Sequence, residues 1–286
     1  MFKSFIIKIV IYICFLIAFI WLLLPIFWLT IISLTPRPEV YSLYKNFFSK
    51  NPTFINYIRM FIPTRAWLAP ISSELYISAL KNSIIASFTP AILTLLIASP
   101  AAYAIQKFNF PGKNRIALFL LALRALPFAT IAVPLYFIIT MFGLYDNLLG
   151  LILIYTTLLL PFAVFSLSEA FGTVPKDLED AAKIDGCGHL GVLFRVIIPI
   201  MAPNILATSI LVYILSWNSF FIPIIMTQSA KAIQFTVVIG QAITETDVDY
   251  PLVAAGGIIC CIIPVVLALI FQKYLVKGLI SGAIKR

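Results

Sequence analysis

The sequence predicts an all-α, polytopic membrane protein of six transmembrane helices, and three observations carry that expectation. Of 286 residues, 62% are hydrophobic and only 11% charged, far more apolar surface than a soluble globule of ordinary composition can bury. The apolar residues fall into six runs, each reaching the roughly 20 residues that cross a bilayer as a helix. Lysine and arginine gather in alternate connections between those runs, as they do at the cytoplasmic ends of membrane helices.

The first run, 9–34, follows Lys3 and Lys8 and contains Pro25, a site for a kink. It exceeds the roughly 7 to 15 residues of a signal-peptide core and lacks a small-residue cleavage site, so it reads as a retained span. Residues 35–81 are more polar and carry Pro36, Pro38, Pro52, Pro63 and Pro70 among aromatics such as Tyr41, Phe54, Tyr57 and Trp67. That composition suits a long loop lying in the membrane interface. The second run, 82–105, is broken by Pro90 and Pro100 and leads into a tight basic turn holding Lys107, Lys113 and Arg115. Runs three and four, 117–143 and 148–171, are joined by 144–147, which has no Lys or Arg. The fifth run is 200–226, and a polar loop at 227–250, with Glu245, Asp247 and Asp249, leads to the sixth at 251–274.

Orientation follows from the basic residues. The turn after span two, the segment before span five (Lys176, Lys183, Arg195) and the tail (Lys273, Lys277, Lys285, Arg286) share one side, while the opposite short loops hold only Lys231. That places both termini in the cytoplasm. Arg37, Lys45, Lys50, Arg59, Arg65 and Lys81 in the first outer loop run against the rule, but a loop that long weighs less in it.

The most charged stretch between apolar runs is 175–199, with Asp177, Glu179, Asp180, Lys183, Asp185 and Arg195. Pro175 suits a first helical turn, and Asp177, Glu179 and Asp180 complement a helix N-terminus. Leu178, Ala181 and Ala182 fall at i, i+3, i+4 as a small-residue face, and Glu179 and Lys183 are spaced for an i, i+4 pair on the other side. Gly186 and Gly188 break the helix. Leu190, Leu193, Phe194 and Ile197 then make a second amphipathic stripe that Pro199 is expected to stop. The segment reads as helix, glycine turn, helix, exposed to water because its charge demands it.

These residues resemble the E-A-A, three residues, G, nine residues, I, one residue, L-P loop of permease subunits of binding-protein-dependent ABC importers. Asp180-Ala181-Ala182, Gly186, Val196, Ile198 and Pro199 stand at that spacing, with Asp for Glu, Val for Ile and Ile for Leu. Further landmarks are similar to those of the maltose-transporter type of sugar permease: Asn82-Ser83, Phe110-Pro111-Gly112-Lys113, Pro134-Leu135-Tyr136, Leu160-Pro161-Phe162 and Trp217-Asn218. Ser219 departs from the pattern, in which an acid commonly follows Trp-Asn. The resemblance implies the type I ABC importer permease fold as a single transmembrane domain over 1–286, with 175–199 as its cytoplasmic coupling segment. It implies that Glu179, Asp180, Ala181, Ala182, Asp185, Gly186 and Pro199 serve coupling to an ATPase subunit. The partners it implies are a second permease subunit, usually a different chain, two ATP-binding subunits and an extracytoplasmic solute-binding protein. The solute implied is a sugar taken up by alternating access; glycerol phosphate and polyols are the alternatives, since their importers look similar.

No catalytic set is visible. There is no G-x-x-x-x-G-K-[ST], so hydrolysis of ATP falls to a partner, and one histidine, His189, makes no triad within the membrane. Cys14, Cys187, Cys260 and Cys261 lack metal-ligand spacing, and no cofactor is expected. The net charge of +9 reports orientation among membrane lipids rather than affinity for nucleic acid. An ion-coupled secondary transporter needs ionisable groups at mid-depth, and Glu169, near an end of span four, is the only acid within a run. For a solute path the polar residues inside the spans are the place to look: Arg124 a few residues into span three, Trp217 and Asn218 in span five, and Tyr136. An indole beside an amide stacks on a sugar ring and hydrogen-bonds its hydroxyls, and Arg124 either lines the path or pairs with a partner subunit's acid or a helix end. The bland readings are that Arg124 snorkels to the interface and Asn218 ties helices together.

Overall fold

The structure, a computed structural model, describes residues 2–43, 46–63, 71–244 and 247–283. Lys45, Arg65, Trp67, Pro70, Glu245, Lys285 and Arg286, on which part of the loop and charge reading rests, lie outside the described residues. The helices are α1 (Phe2–Ser33), α2 (Ile55–Phe61), α3 (Ser73–Lys107), α4 (Lys113–Arg124), α5 (Phe128–Met141), α6 (Leu148–Phe171) and α7 (Lys176–Ile184). They continue as α8 (His189–Val192), α9 (Ile198–Ile200), α10 (Ala202–Trp217), α11 (Phe221–Met226), α12 (Phe235–Gly240) and α13 (Tyr250–Ala283). A π-helical turn, Leu193–Ile197, joins α8 to α9. By length and composition α1, α3, α6 and α13 can each cross a membrane, and the bent pair His189–Ile200 and Ala202–Trp217 makes a fifth candidate.

The chain divides into two compact units. The first comprises Met1–Ile77 and Val238–Ile262. In it α1 runs through Pro25 without a break, and from Ile6 its best apolar stretch is 0% buried. The end of α1 is fastened by polar groups: Asn56 Nδ2 donates to the carbonyls of Ser33 (2.9 Å) and Thr35 (3.0 Å), and Tyr57 donates to Ser33 Oγ (2.8 Å). Carbonyls at a helix end have no partner within the helix, so a buried amide is well spent there. Arg59 and Asp249, both buried, pair at 2.9 Å, and Arg37 pairs with Asp247.

The second unit, Ser78–Val237 with Ile263–Arg286, holds the apolar core around α6. Ala86, Ala98 and Ala102 of α3 and Ala163 of α6 are fully buried, and small residues at these positions let helix backbones approach closely. The predicted span four coincides with α6. Span two differs: α3 passes unbroken through Pro90 and Pro100 and starts nine residues before the expected Asn82, at Ser73. Proline removes one helical hydrogen bond, which a membrane helix tolerates when neighbours or a local adjustment offset it.

Spans three and five are interrupted instead. Span three stops at Arg124 and restarts at Phe128, because the ring of Pro127 biases Leu126 away from helical ψ. Span five stops at Trp217 and restarts at Phe221. Pro223 has no N–H to offer the carbonyl of Ser219, and Thr236 Oγ1 donates to that carbonyl instead, at 2.8 Å.

Candidate functional site

The stretch 175–199 folds as an elbow. Pro175, with φ −58° and ψ 137°, is the residue before α7, and Asp177 and Glu179 lie in the first turn. At the other end Gly186 takes φ +86°, which suits glycine alone among common residues. Its N–H bonds to Lys183 O (3.0 Å) and that of Cys187 to Ala182 O (2.9 Å), the paired 5→2 and 6→1 bonds of a Schellman end. The chain then reverses into α8. Pro199 does not stop the second arm: the helix continues to Ile200 and bends by 80° at Met201 into α10. Proline cannot donate to the carbonyl four residues back, and the wider π turn immediately before it absorbs that defect.

The inner face of the elbow is Glu179, Ala182, Val192, Leu193 and Ile197, all buried. The outer face shows Leu178, Ala181, Ile184 (86% exposed), Leu190 and Phe194, rimmed by Asp177, Asp180, Lys183, Asp185 and Arg195. Two local expectations are therefore corrected. Leu178 and Ala181 do not share a buried face with Ala182. The Glu179–Lys183 pair does not form: Lys183 reaches Asp180 (3.2 Å), while Glu179 turns inward and pairs with Lys107 at the end of α3. Lys107 Nζ also donates to Val174 O (3.2 Å), just before α7. The neighbouring Phe108 ring meets His189 edge to face at 4.8 Å, so the end of α3 grips both arms of the elbow.

The interrupted spans frame a second feature, a cavity of about 480 Å³ against α6. Arg124 and Phe128 line it from one interruption, Ser219 and Ile222 from the other, and Tyr155 and Phe162 from α6. The Arg124 guanidinium carbon lies 5.0 Å from the Phe162 ring centroid and 5.9 Å from that of Phe165. It is the last residue of the 12-residue α4, directly before the first interruption. Tyr155 donates to Gln234 Oε1 at 2.6 Å.

Of the four residues read from sequence as a solute path, Arg124 alone lines this cavity. Trp217 is buried in the core with its ring stacked on Tyr213, 6.0 Å between centroids. Asn218 is an exposed residue at the end of α10. Tyr136 is half-buried with its ring edge-on to Tyr145. Ser219, which in the sequence stands out only as a departure from the Trp-Asn-acid pattern, lines the cavity together with Tyr155, which sequence reasoning missed; the signal available was Pro223, which leaves the Ser219 carbonyl open.

Between α5 and α6, Asp146 ties the short connection to the 227–229 turn. Its carboxylate accepts from the N–H groups of Gln228 (2.8 Å) and Ser229 (2.9 Å) and from Ser229 Oγ (2.5 Å). Burial alone would raise its pKa, but these hydrogen bonds and the charge of Lys231 outweigh it and hold the carboxyl below its ordinary range.

Residues 94–281 match the model of a family described as the binding-protein-dependent transport system inner membrane component. The trehalose transport system permease protein SugB of Mycobacterium tuberculosis is 34% identical, over 92% of each chain. The trehalose/maltose transport system permease protein MalG of Thermococcus litoralis is 32% identical over 92% of this chain and 91% of that one. Among solved structures, a bacterial ABC transporter involved in the import of the acidic polysaccharide alginate aligns with a TM-score of 0.77, at 20% identity, over 95% of this chain and 97% of that one.

Proposed function

The chain belongs to the family of inner membrane components of binding-protein-dependent transport systems, and from that premise we propose how it works. It is a multi-pass permease subunit of an ATP-driven importer, and the solute it moves is a sugar. It lies in the cytoplasmic membrane with both termini inside, as a single functional permease domain. Its partners are a second permease chain of different sequence, two ATP-hydrolysing subunits and a solute-binding protein outside.

The observation that carries the mechanism is the elbow. Its outer face combines exposed apolar side chains, Leu178, Ile184, Leu190 and Phe194, with a charged rim, the composition of a docking surface rather than of a solvated loop. Asp180, Ala181 and Asp185 meet the groove of the ATPase subunit, and Gly186 sets the angle between the arms. Glu179 and Ala182 work from within: they fix the elbow to the membrane helices, so a displacement of α7 reaches α3 through Lys107. Pro199 sits where the second arm passes into α10. ATP binding closes the ATPase pair, the elbows move with their grooves, and the spans tilt between outward and inward openings. The test is reconstitution of the complete transporter in vesicles: ATP-driven sugar accumulation supports this function, and uptake driven by an ion gradient without ATP rejects it.

A further inference from the structure

We infer that the basic turn between α3 and α4 binds the phosphate of an anionic phospholipid headgroup, gripped by Lys113 and Arg115 with the amides of Asn109 and Asn114. Under the orientation proposed above the lipid belongs to the inner leaflet. The inference needs the chain to span a membrane, but neither the sugar nor the ATPase subunits.

Unspent charge carries it first. Lys107 and Lys183, assigned to the same side of the membrane, are paired with Glu179 and Asp180. Lys113 and Arg115 have no acid partner among the described residues, and between Glu74 and Asp146 the sequence holds no Asp or Glu at all. The Arg115 side chain makes no hydrogen bond among the described residues, and Lys113 Nζ makes one, at 3.5 Å to Gln106 O. Every guanidinium donor and most of those of the ammonium are therefore open to an anion.

The shape of the turn carries it second. Gly112, at φ +88°, reverses the chain, and an open hollow of about 580 Å³ lies in the reversal. Asn109, Lys113, Asn114 and Arg115 line it beside Phe110 and Pro111. The lining offers an ammonium, a guanidinium and the amide donors of the two asparagines, with no carboxylate. Phosphate oxygens accept from that set, and the charged donors make the stronger bonds.

Depth decides where the phosphate comes from. Directly after Arg115 the helix shows Ile116, Leu118 and Phe119, exposed by 45%, 67% and 63%. That apolar surface belongs in hydrocarbon, so the hollow stands where headgroups give way to acyl chains. A phospholipid meets both parts, its phosphate in the hollow and its chains along α4, whereas a free phosphate would meet the hollow alone. Basic pockets beside membrane helices on the cytoplasmic side hold anionic headgroups in this way.

The test uses the complete transporter in nanodiscs of phosphatidylcholine carrying a trace of phosphatidylglycerol with a photoactivatable acyl chain. Crosslinks are mapped by mass spectrometry. Labelling is expected within residues 108–123 and to exceed that from a matching phosphatidylcholine probe. Each basic residue near an anionic surface contributes about a fivefold preference, so Lys113→Gln with Arg115→Gln should lower the labelling roughly twenty-five-fold. Equal labelling by the two probes, or an unchanged signal in the double variant, overturns the inference. Inorganic phosphate added at constant ionic strength separates the sources: labelling that persists supports the lipid, and labelling abolished at millimolar phosphate overturns it in favour of a soluble anion. Should the double variant not assemble, Arg115→Gln alone takes its place, at an exposed position. A fivefold loss then supports the inference and no loss overturns it.

Discussion

Glu179→Gln is the sharpest perturbation of the proposed transmission. The Lys107 and Glu179 side chains are only 10% and 6% exposed, so the pair is shielded from water and salt. Removing one partner of a buried ion pair leaves an uncompensated charge and costs about 3–5 kcal/mol. Lys107 keeps one hydrogen bond, to Val174 O, which argues for the lower end, about 3 kcal/mol. At 1.4 kcal/mol per factor of ten, that is roughly a hundredfold shift toward elbows detached from α3. Hydrogen exchange of residues 176–184 in the assembled transporter should speed up by about that factor. The ratio of sugar moved to ATP hydrolysed should fall, because the ATPase subunits would still bind a loosened elbow. The double swap Lys107→Glu with Glu179→Lys should recover part of both losses, which a simple packing defect would not. Unchanged exchange and full coupling in Glu179→Gln would refute the idea that α3 receives motion through this pair.

Three further outcomes follow from single residues. Gly186→Ala meets no atom within 4 Å but forces φ +86° on a residue with a side chain, a cost of about 1–2 kcal/mol, and should weaken coupling, while Gly186→Pro should abolish uptake with membrane insertion intact; uptake assays with immunoblotting of membranes check both. Gly150→Ala should lower the thermal midpoint measurably, because its methyl would run into the backbone carbonyl of Leu144, which cannot swing aside as a side chain can. For Asp146 the folded pKa is depressed, so its contribution is present above the ordinary value of 3.8 and is lost as pH falls through the lower folded value. Thermal midpoints between pH 7 and 3 should therefore drop on the acid side more steeply for the wild type than for Asp146→Asn, and parallel curves would remove that role.

What could be read in the sequence depended on how local its cause was. Span four was legible to the residue because its length and apolarity lie within it; the structure adds the Asn147 cap just before it, whose side chain accepts from Leu149 N–H at 2.9 Å. The Gly186 turn was legible for the same reason. The prolines misled in both directions: Pro90 and Pro100 pass through α3, while Pro127 and Pro223 mark real interruptions, and the difference lies in neighbours such as Thr236 that satisfy a freed carbonyl. The direction of Glu179 was hidden because helical spacing offers Lys183, while the partner that wins, Lys107, is on another helix. Trp217 looked like a sugar platform by residue type, yet its size makes it a core residue against Tyr213. Tyr155 had no signature of its own as a cavity-lining residue, since the cavity depends on two interruptions facing one space.

Coupling to ATP requires the elbow on the cytoplasmic side of the membrane, with its outer face covered by an ATPase subunit. Ile184→Cys, at the most exposed apolar position of that face, in a chain free of other cysteines, gives the direct measurement. Labelling with a membrane-impermeant maleimide is expected from the cytoplasmic side of sealed vesicles only, and should be blocked when the ATPase subunits are bound. Labelling from the outer side, or at an unchanged rate in the presence of those subunits, would contradict it.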